Sequence, residues 1–261
     1  MTVQERSLVI ENKHIQLFDG GHGPPLLYLH GAGTFWWMPV HDLFAHSFHL
    51  YLPVHPGFGA SEGGADIEVI EDLVFHYTAF LDALGIGKVA VVGLSLGGWI
   101  AAEMALRRPD RIERLVLVDA AGLRVEGAPM AEFFMATPAQ LRPLLFAQPD
   151  SDLARTLVPD VPPPERLEMV LRGREAAARL LWNPHFHQRK LRSRLHHIHT
   201  PTLVVWGKED RLIPVAHGHA FAAGIPGARL VVLEGCAHLP PFEQPEAFVA
   251  TVLPFLQGKE A

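Results

Sequence analysis

One serine in this chain is framed by glycines, in the run Gly93-Leu94-Ser95-Leu96-Gly97-Gly98, directly behind an apolar stretch ending at Val92 and ahead of a helix-like stretch from Trp99 to Arg107. Such a frame leaves the backbone few choices. A strand must turn sharply into a helix at Ser95, and glycines two before and two after allow the strand and helix to approach where a side chain would collide. The hydroxyl is then held out of the sheet. The Leu96 N–H lies beside it at a helix N-terminus, where partial positive charge favours an oxyanion. This is the nucleophile-elbow pattern, and a merely structural turn with the same spacing is the reading it competes with.

Two later segments supply partners. Thr202-Leu203-Val204-Val205-Trp206 reads as a buried strand that exits through Gly207-Lys208-Glu209-Asp210, and Arg229 to Leu233 reads as a strand that exits through Glu234-Gly235-Cys236-Ala237-His238. Acid and base candidates thus stand just past the C-terminal ends of strands, the edge along which open α/β sheets build their sites. The chain order Ser95, Asp210, His238 is one in which nucleophile, acid and base occur in such triads. Asp119, at the end of the strand Ile112 to Val118, is the competing acid. Upstream, Pro25 to Leu29 ends in His30-Gly31-Ala32-Gly33, where the Ala32 N–H is placed to join that of Leu96 as a second oxyanion donor. His30 itself is expected to bond loop backbone rather than to react.

The remaining organisation follows from periodicity and breaks. Ser7 to Ile10 and His14 to Phe18 suggest a hairpin, and Phe48 to Pro53 a short strand. The spacing of Ile67, Ile70, Val74, Tyr77, Leu81 and Leu84 predicts an amphipathic helix stopping at Gly85. Helices are expected near Val215 to Ala223 and from Pro245 to Gln257. Between Gly122 and Thr200 prolines become frequent and strand alternation disappears, which predicts short helices between breaks, one of them running from Pro164 to Trp182.

These motifs together resemble the α/β-hydrolase superfamily over nearly the whole chain. The pieces that carry the likeness are His30-Gly31, Pro56-Gly57-Phe58-Gly59-Ala60-Ser61, the Ser95 turn, Trp206-Gly207-Lys208-Glu209-Asp210 and the His238 loop. The resemblance implies an α/β fold with an eight-stranded, mostly parallel sheet flanked by helices. It also implies an inserted helical cap after the sixth strand, so residues 1–122 and 201–261 are expected to form the core and residues 123–200 the cap. It favours Asp210 over Asp119 as the acid, because an Asp-Arg-Leu-Ile-Pro stretch after a Trp-Gly step is the commoner acid loop.

A serine at the elbow argues against haloalkane dehalogenase and epoxide hydrolase chemistry, which use aspartate there. Carboxylic esters of small to medium hydrophobic acids come first among substrates. Carbon–carbon hydrolases of ring meta-cleavage products come second, since those enzymes typically carry Asn where Leu94 stands and Trp where Leu239 stands. Their glycine- and proline-rich oxyanion loop is replaced by Ala32-Gly33-Thr34-Phe35. Lactonase and perhydrolase activities share the scaffold, and a ligand receptor with little turnover is the reading from a different class. Phe35, Trp36, Phe134, Phe146, Trp182 and Leu239 are the expected pocket residues, drawn from a wider set including Phe133, Met135, Leu144, Leu145, Leu181 and Trp37.

Composition sets the remaining bounds. With 261 residues, 49% of them apolar, the chain can bury a large single core. The balance of 22 basic against 28 acidic residues argues against nucleic acid as partner, although half of the basic residues fall in the expected cap, among them Arg189, Lys190, Arg192 and Arg194. That run reads as a solvated helix face. The lone Cys236 excludes an internal disulfide framework and reads as packing. His185-x-His187 and His196-His197-x-His199 lack partner ligands at metal-site spacing, so neither metal nor other cofactor is expected. No signal-peptide apolar core follows Met1 to Arg6 and no run is long enough to span a bilayer, so cytoplasmic residence as a monomer or homodimer, acting on a small hydrophobic molecule without membrane insertion, is the default expectation.

Overall fold

The computed structural model describes residues 2–259; Met1, where the reading of the N-terminus begins, lies outside them. Strands β1 (Gln4–Ile10), β2 (Lys13–Gly20), β3 (Pro25–Leu29), β4 (His49–Pro53), β5 (Val89–Leu94), β6 (Ile112–Val118), β7 (Thr202–Gly207) and β8 (Arg229–Leu233) form one sheet in the order β1-β2-β4-β3-β5-β6-β7-β8. β1 and β2 form an antiparallel hairpin, β2 runs antiparallel to β4, and every other pairing is parallel.

Burial explains why the central strands are apolar without alternation. Every residue of β5 and of β7 is buried, because helices cover both faces of a parallel sheet. At the far edges the pattern weakens: β1 is mostly exposed and β8 only half-buried. The covering helices are α1 (Pro39–Ala45), α2 (Ile70–Ala83) and α3 (Leu96–Arg107), then, after an insertion between β6 and β7, further helices behind the later strands. The insertion holds α4 (Pro138–Leu145), α5 (Asp152–Leu157), α6 (Pro164–Leu181) and the single turn α7 (Leu191–Arg194). Then come α8 (Ala216–Gly224), α9 (Pro240–Glu243) and α10 (Pro245–Leu256). Five of these helices, α1, α4, α6, α9 and α10, begin at a proline, whose missing N–H is one a first helical turn would leave unpaired anyway.

Outgoing and returning chain meet where the insertion joins the sheet. The Gly122 N–H donates to Phe186 O at 2.8 Å, and the Gln188 N–H donates back to Gly122 O at 3.0 Å. Among the described residues no helix is long and apolar enough to cross a membrane.

Candidate active site

Ser95 closes β5 with φ +54°, a left-handed value that a residue with a side chain rarely adopts. Backbone bonds hold it there: its N–H donates to Val118 O at 2.9 Å, while its carbonyl accepts from Trp99 N at 3.1 Å and Ala121 N at 3.0 Å. The glycine after it is needed for a steric reason. A Cβ on Gly97 would overlap the Leu29 carbonyl, because the first turn of α3 is pressed onto the exit of β3. Gly31 brings the loop after β3 alongside the serine less tightly, since a Cβ there would sit 3.4 Å from Ser95 Cβ, an ordinary contact. Ala32 follows in that loop and Leu96 opens α3, whose first N–H groups have no acceptor within the helix.

The β7 exit supplies the carboxylate and the β8 exit the imidazole. Asp210 Oδ1 accepts the N–H groups of Leu212 and Ile213, each at 2.8 Å, and Oδ2 accepts from His238 Nδ1 at 2.7 Å. With its Nδ1 proton so engaged, the imidazole turns an unprotonated Nε2 to the Ser95 hydroxyl at 3.0 Å. All three side chains are buried. The His238 loop is braced from two sides, by Ala147 and Ala237 N–H groups donating to the two oxygens of Glu243 at 2.7 Å each and by the His238 N–H donating to Leu145 O at 3.1 Å. Burial pushes the Glu243 carboxyl up.

Ser95 and His238 open onto a cavity of about 180 Å³ between the sheet edge and the insertion. Of the expected pocket residues, Phe35, Trp36 and Leu239 line it together with Ala32. Phe134, Phe146 and Trp182 do not, which corrects the expectation. Phe146 is sequestered in the core, Trp182 is half exposed, and Phe134 spends its faces on Trp182, Phe186 and Phe133 within the insertion. From the wider set Phe133 and Leu145 reach the cavity, whereas Met135 points to solvent and Leu181 to the core. The sequence reading missed Leu141, Val170 and Phe186, and above all Arg174, the single Arg or Lys among the described residues that line it. Arg174 lies on the buried side of α6, one residue after Gly173, and its Nη2 donates to Ala136 O at 3.4 Å. The Arg189, Lys190 and Arg194 run faces a separate cleft between the insertion and α3.

His30 is fully buried behind the oxyanion loop and burial lowers it to about 3. Its Nδ1 faces Gly31 O at 2.6 Å and its Nε2 accepts the His55 N–H at 2.9 Å, so the ring serves the loop backbone. Cys236 is buried with its thiol pushed up by burial. Among the described residues the one group of three potential metal ligands with converging atoms is Asp119, Asp210 and His238, in which Asp210 and His238 already face each other. The other histidine pairs do not converge: His187 Nδ1 faces the His185 carbonyl, and His196 packs on His197.

Comparison with known proteins gives a consistent picture. A family profile described as the alpha/beta hydrolase family matches residues 26–251. The chain is 32% identical over 275 residues to a 2-hydroxymuconate semialdehyde hydrolase of Pseudomonas sp. (strain CF600), an alignment covering 98% of this chain and 95% of the relative. It is 30% identical over 285 residues to a 2-hydroxy-6-oxo-6-phenylhexa-2,4-dienoate hydrolase of Burkholderia cepacia, with the same coverage of 98% and 95%. Among solved structures it superposes on a membrane phospholipase A, a bacterial virulence factor, with TM-score 0.79 and 25% identity, over 99% of this chain and 87% of that one.

Proposed function

Because the chain belongs to the alpha/beta hydrolase family, we propose that it hydrolyses a carbon–carbon bond beside a carbonyl in a small, carboxylate-bearing ring-cleavage product. Ser95 is the nucleophile, His238 the base and Asp210 the acid that orients the base. The observation that carries this reading is Arg174. A largely apolar cavity is lined by one arginine, partly buried on α6, and a cation at the wall of such a cavity is complemented by an anionic group on the ligand. A simple apolar ester brings no such group. The two relatives named above act on products that carry one, which reverses the order in which the sequence alone ranks esters and carbon–carbon substrates.

The chemistry follows from the distances. His238 Nε2 takes the Ser95 proton as Oγ attacks the ketone or aldehyde carbon, and Asp210 stabilises the imidazolium that forms. The tetrahedral oxyanion receives the Ala32 and Leu96 N–H groups, each contributing roughly 3–4 kcal/mol. In the 2-keto tautomer of the substrate, reached by moving the enol proton to the carbon beside the reacting carbonyl, collapse breaks the carbon–carbon bond and the departing carbon keeps the electron pair as a dienolate conjugated to the 2-keto group. It takes its proton from the imidazolium. Water deprotonated by His238 then releases the acyl group from Ser95. The carboxylate held by Arg174 aligns the carbonyl with Oγ, so remote binding energy serves orientation. A cap comprising residues 123–200 over a core of residues 1–122 and 201–261 supplies that grip and excludes water.

Ester hydrolysis is the second reading, favoured by Leu94 and Leu239 at positions where ring-cleavage hydrolases typically carry Asn and Trp. A panel of 2-hydroxy-6-oxo-2,4-dienoates, p-nitrophenyl esters and lactones decides between them. Higher kcat/KM on the dienoates supports the proposal; turnover confined to esters or lactones overturns it.

A further inference from the structure

Asp119 stands at the end of β6, fully buried, with φ +42°. Its N–H donates to Val205 O at 3.1 Å, and its Oδ1 accepts the Gly207 N–H at 2.9 Å, so the residue is anchored to β7 just before the acid loop begins. Its other oxygen, Oδ2, is buried and receives no N–H or O–H from any described residue. An oxygen of Asp119, an oxygen of Asp210 and a ring nitrogen of His238 lie within 4.8 Å of one another. Two carboxylates this close in a buried site do not both ionise, and the anion belongs to the one with more donors. Asp210 accepts two backbone N–H groups and the imidazole, whereas Asp119 accepts one N–H. Asp119 therefore carries the proton. Burial, with the neighbouring Asp210 next in weight and Glu243 behind it, raises its carboxyl well above the ordinary range. The other titratable groups that face this cluster are His238, His217, Glu209 and the Cys236 thiol.

We propose that Asp119 is a positioning residue of the active site, a neutral carboxylic acid whose Oδ2–H donates to the Asp210 carboxylate and aims it at His238 Nδ1. The inference rests on the reading of Ser95, Asp210 and His238 given above. It assigns the β6 acid a part distinct from that of a competing triad acid: a donor that shares one proton across a carboxyl pair bearing a single negative charge. It also accounts for the positive φ, because the left-handed turn sets the side chain against both Gly207 and Asp210.

The test combines infrared difference spectroscopy with kinetics on the full chain. At neutral pH the spectrum of the wild type minus Asp119→Asn should show the C=O stretch of a protonated carboxyl. Asp119→Ala, which removes the donor, should lower kcat by about tenfold or more with little change in KM. Asp119→Asn, whose amide can donate to Asp210 and accept from Gly207, should recover most of that loss. It should also lack the alkaline fall in kcat that the wild type shows when Asp119 ionises beside Asp210. Absence of the protonated-carboxyl band, or an Asn variant as impaired as Asp210→Asn, overturns the proposal. If Asp119→Ala does not fold, the band and the Asn pH profile still decide. Failure of a fluorophosphonate to label Ser95 would instead strike the serine-hydrolase reading, and the infrared band would report on Asp119 regardless.

Discussion

The imidazole of His238 lies 3.0 Å from the hydroxyl of Ser95, although 143 residues separate them in the chain. Three strand ends converge on this contact, and backbone bonds tie each to its neighbour, with Asp119 Oδ1 adding a side-chain tie to Gly207.

Labelling follows directly. A fluorophosphonate should modify Ser95 and no other serine, and Ser95→Ala should abolish both labelling and turnover. Asp210→Asn should lower kcat by roughly 10³–10⁴-fold, as expected when an imidazole loses its orienting carboxylate, and far more than Asp119→Asn. Mass spectrometry of the labelled peptide and steady-state kinetics check these outcomes, and the opposite ranking of the two aspartates would move the acid to β6.

Arg174→Gln separates binding from chemistry. Loss of a charge-assisted, bidentate contact should raise KM for a dienoate substrate by about 10–100-fold, with a much smaller effect on p-nitrophenyl acetate, which has no carboxylate. Equal effects on both substrates would show that Arg174 acts by holding α6 in place.

Acid should weaken the fold. Burial holds the imidazoles of His30 and His41 down to about 3 and that of His76 down to about 4. The unfolded chain takes up these protons near pH 6.5, so it binds more protons than the native state between about pH 6.5 and those lower values. Stability should be full above this window and fall as pH drops through it, by up to about 1.4 kcal/mol per pH unit for each group. Urea midpoints measured from pH 8 to pH 5 test the slope, and a flat profile would show that these rings do not remain neutral.

Gly97→Ala should be among the most damaging single-methyl additions in the molecule. The new Cβ overlaps the Leu29 carbonyl, a backbone atom that cannot rotate away, and the cost should be on the order of 2–4 kcal/mol. Denaturant titration, with an alanine at Gly33 as control, gives the comparison, since a Cβ at Gly33 meets nothing within 4 Å.

What could be read before the structure was determined by how far local pattern reports depth. β5 and β7 are buried on both faces and end in glycine-containing turns, so the runs ending at Val92 and Trp206 and the positions of Ser95 and Asp210 stood out. β6 and β8 also matched the expected bounds, β8 although it is only half-buried, because each keeps an unbroken apolar run to its end. β1 extends back to Gln4 because hydrogen bonding to β2, not burial, defines an edge strand, and its exposed residues carry no alternation. The insertion was the opaque part. Phe134, Phe146 and Trp182 are as aromatic as Phe35 and Trp36, and hydrophobicity alone does not tell packing between helices from the lining of a cavity. Arg174 was hidden among Arg172, Glu175 and Arg179, which make that stretch of α6 look like a solvated face. Gly173 beside it is the available signal, a small residue in an otherwise charged stretch, and it packs over Phe58 and Phe35.

The stitch between Gly122 and the Phe186 to Gln188 segment gives the protein a single seam at which foreign sequence could be grafted. Everything that shapes the substrate chamber from above leaves and returns at that seam, while the reacting groups grow from the sheet beneath it. A transplanted lobe would inherit two obligations at the His238 loop: to present a carbonyl where Leu145 now does and an N–H where Ala147 now does, so that the loop keeps its tethers. Divergence in substrate taste can then proceed by exchanging lobes, with the chemistry left untouched.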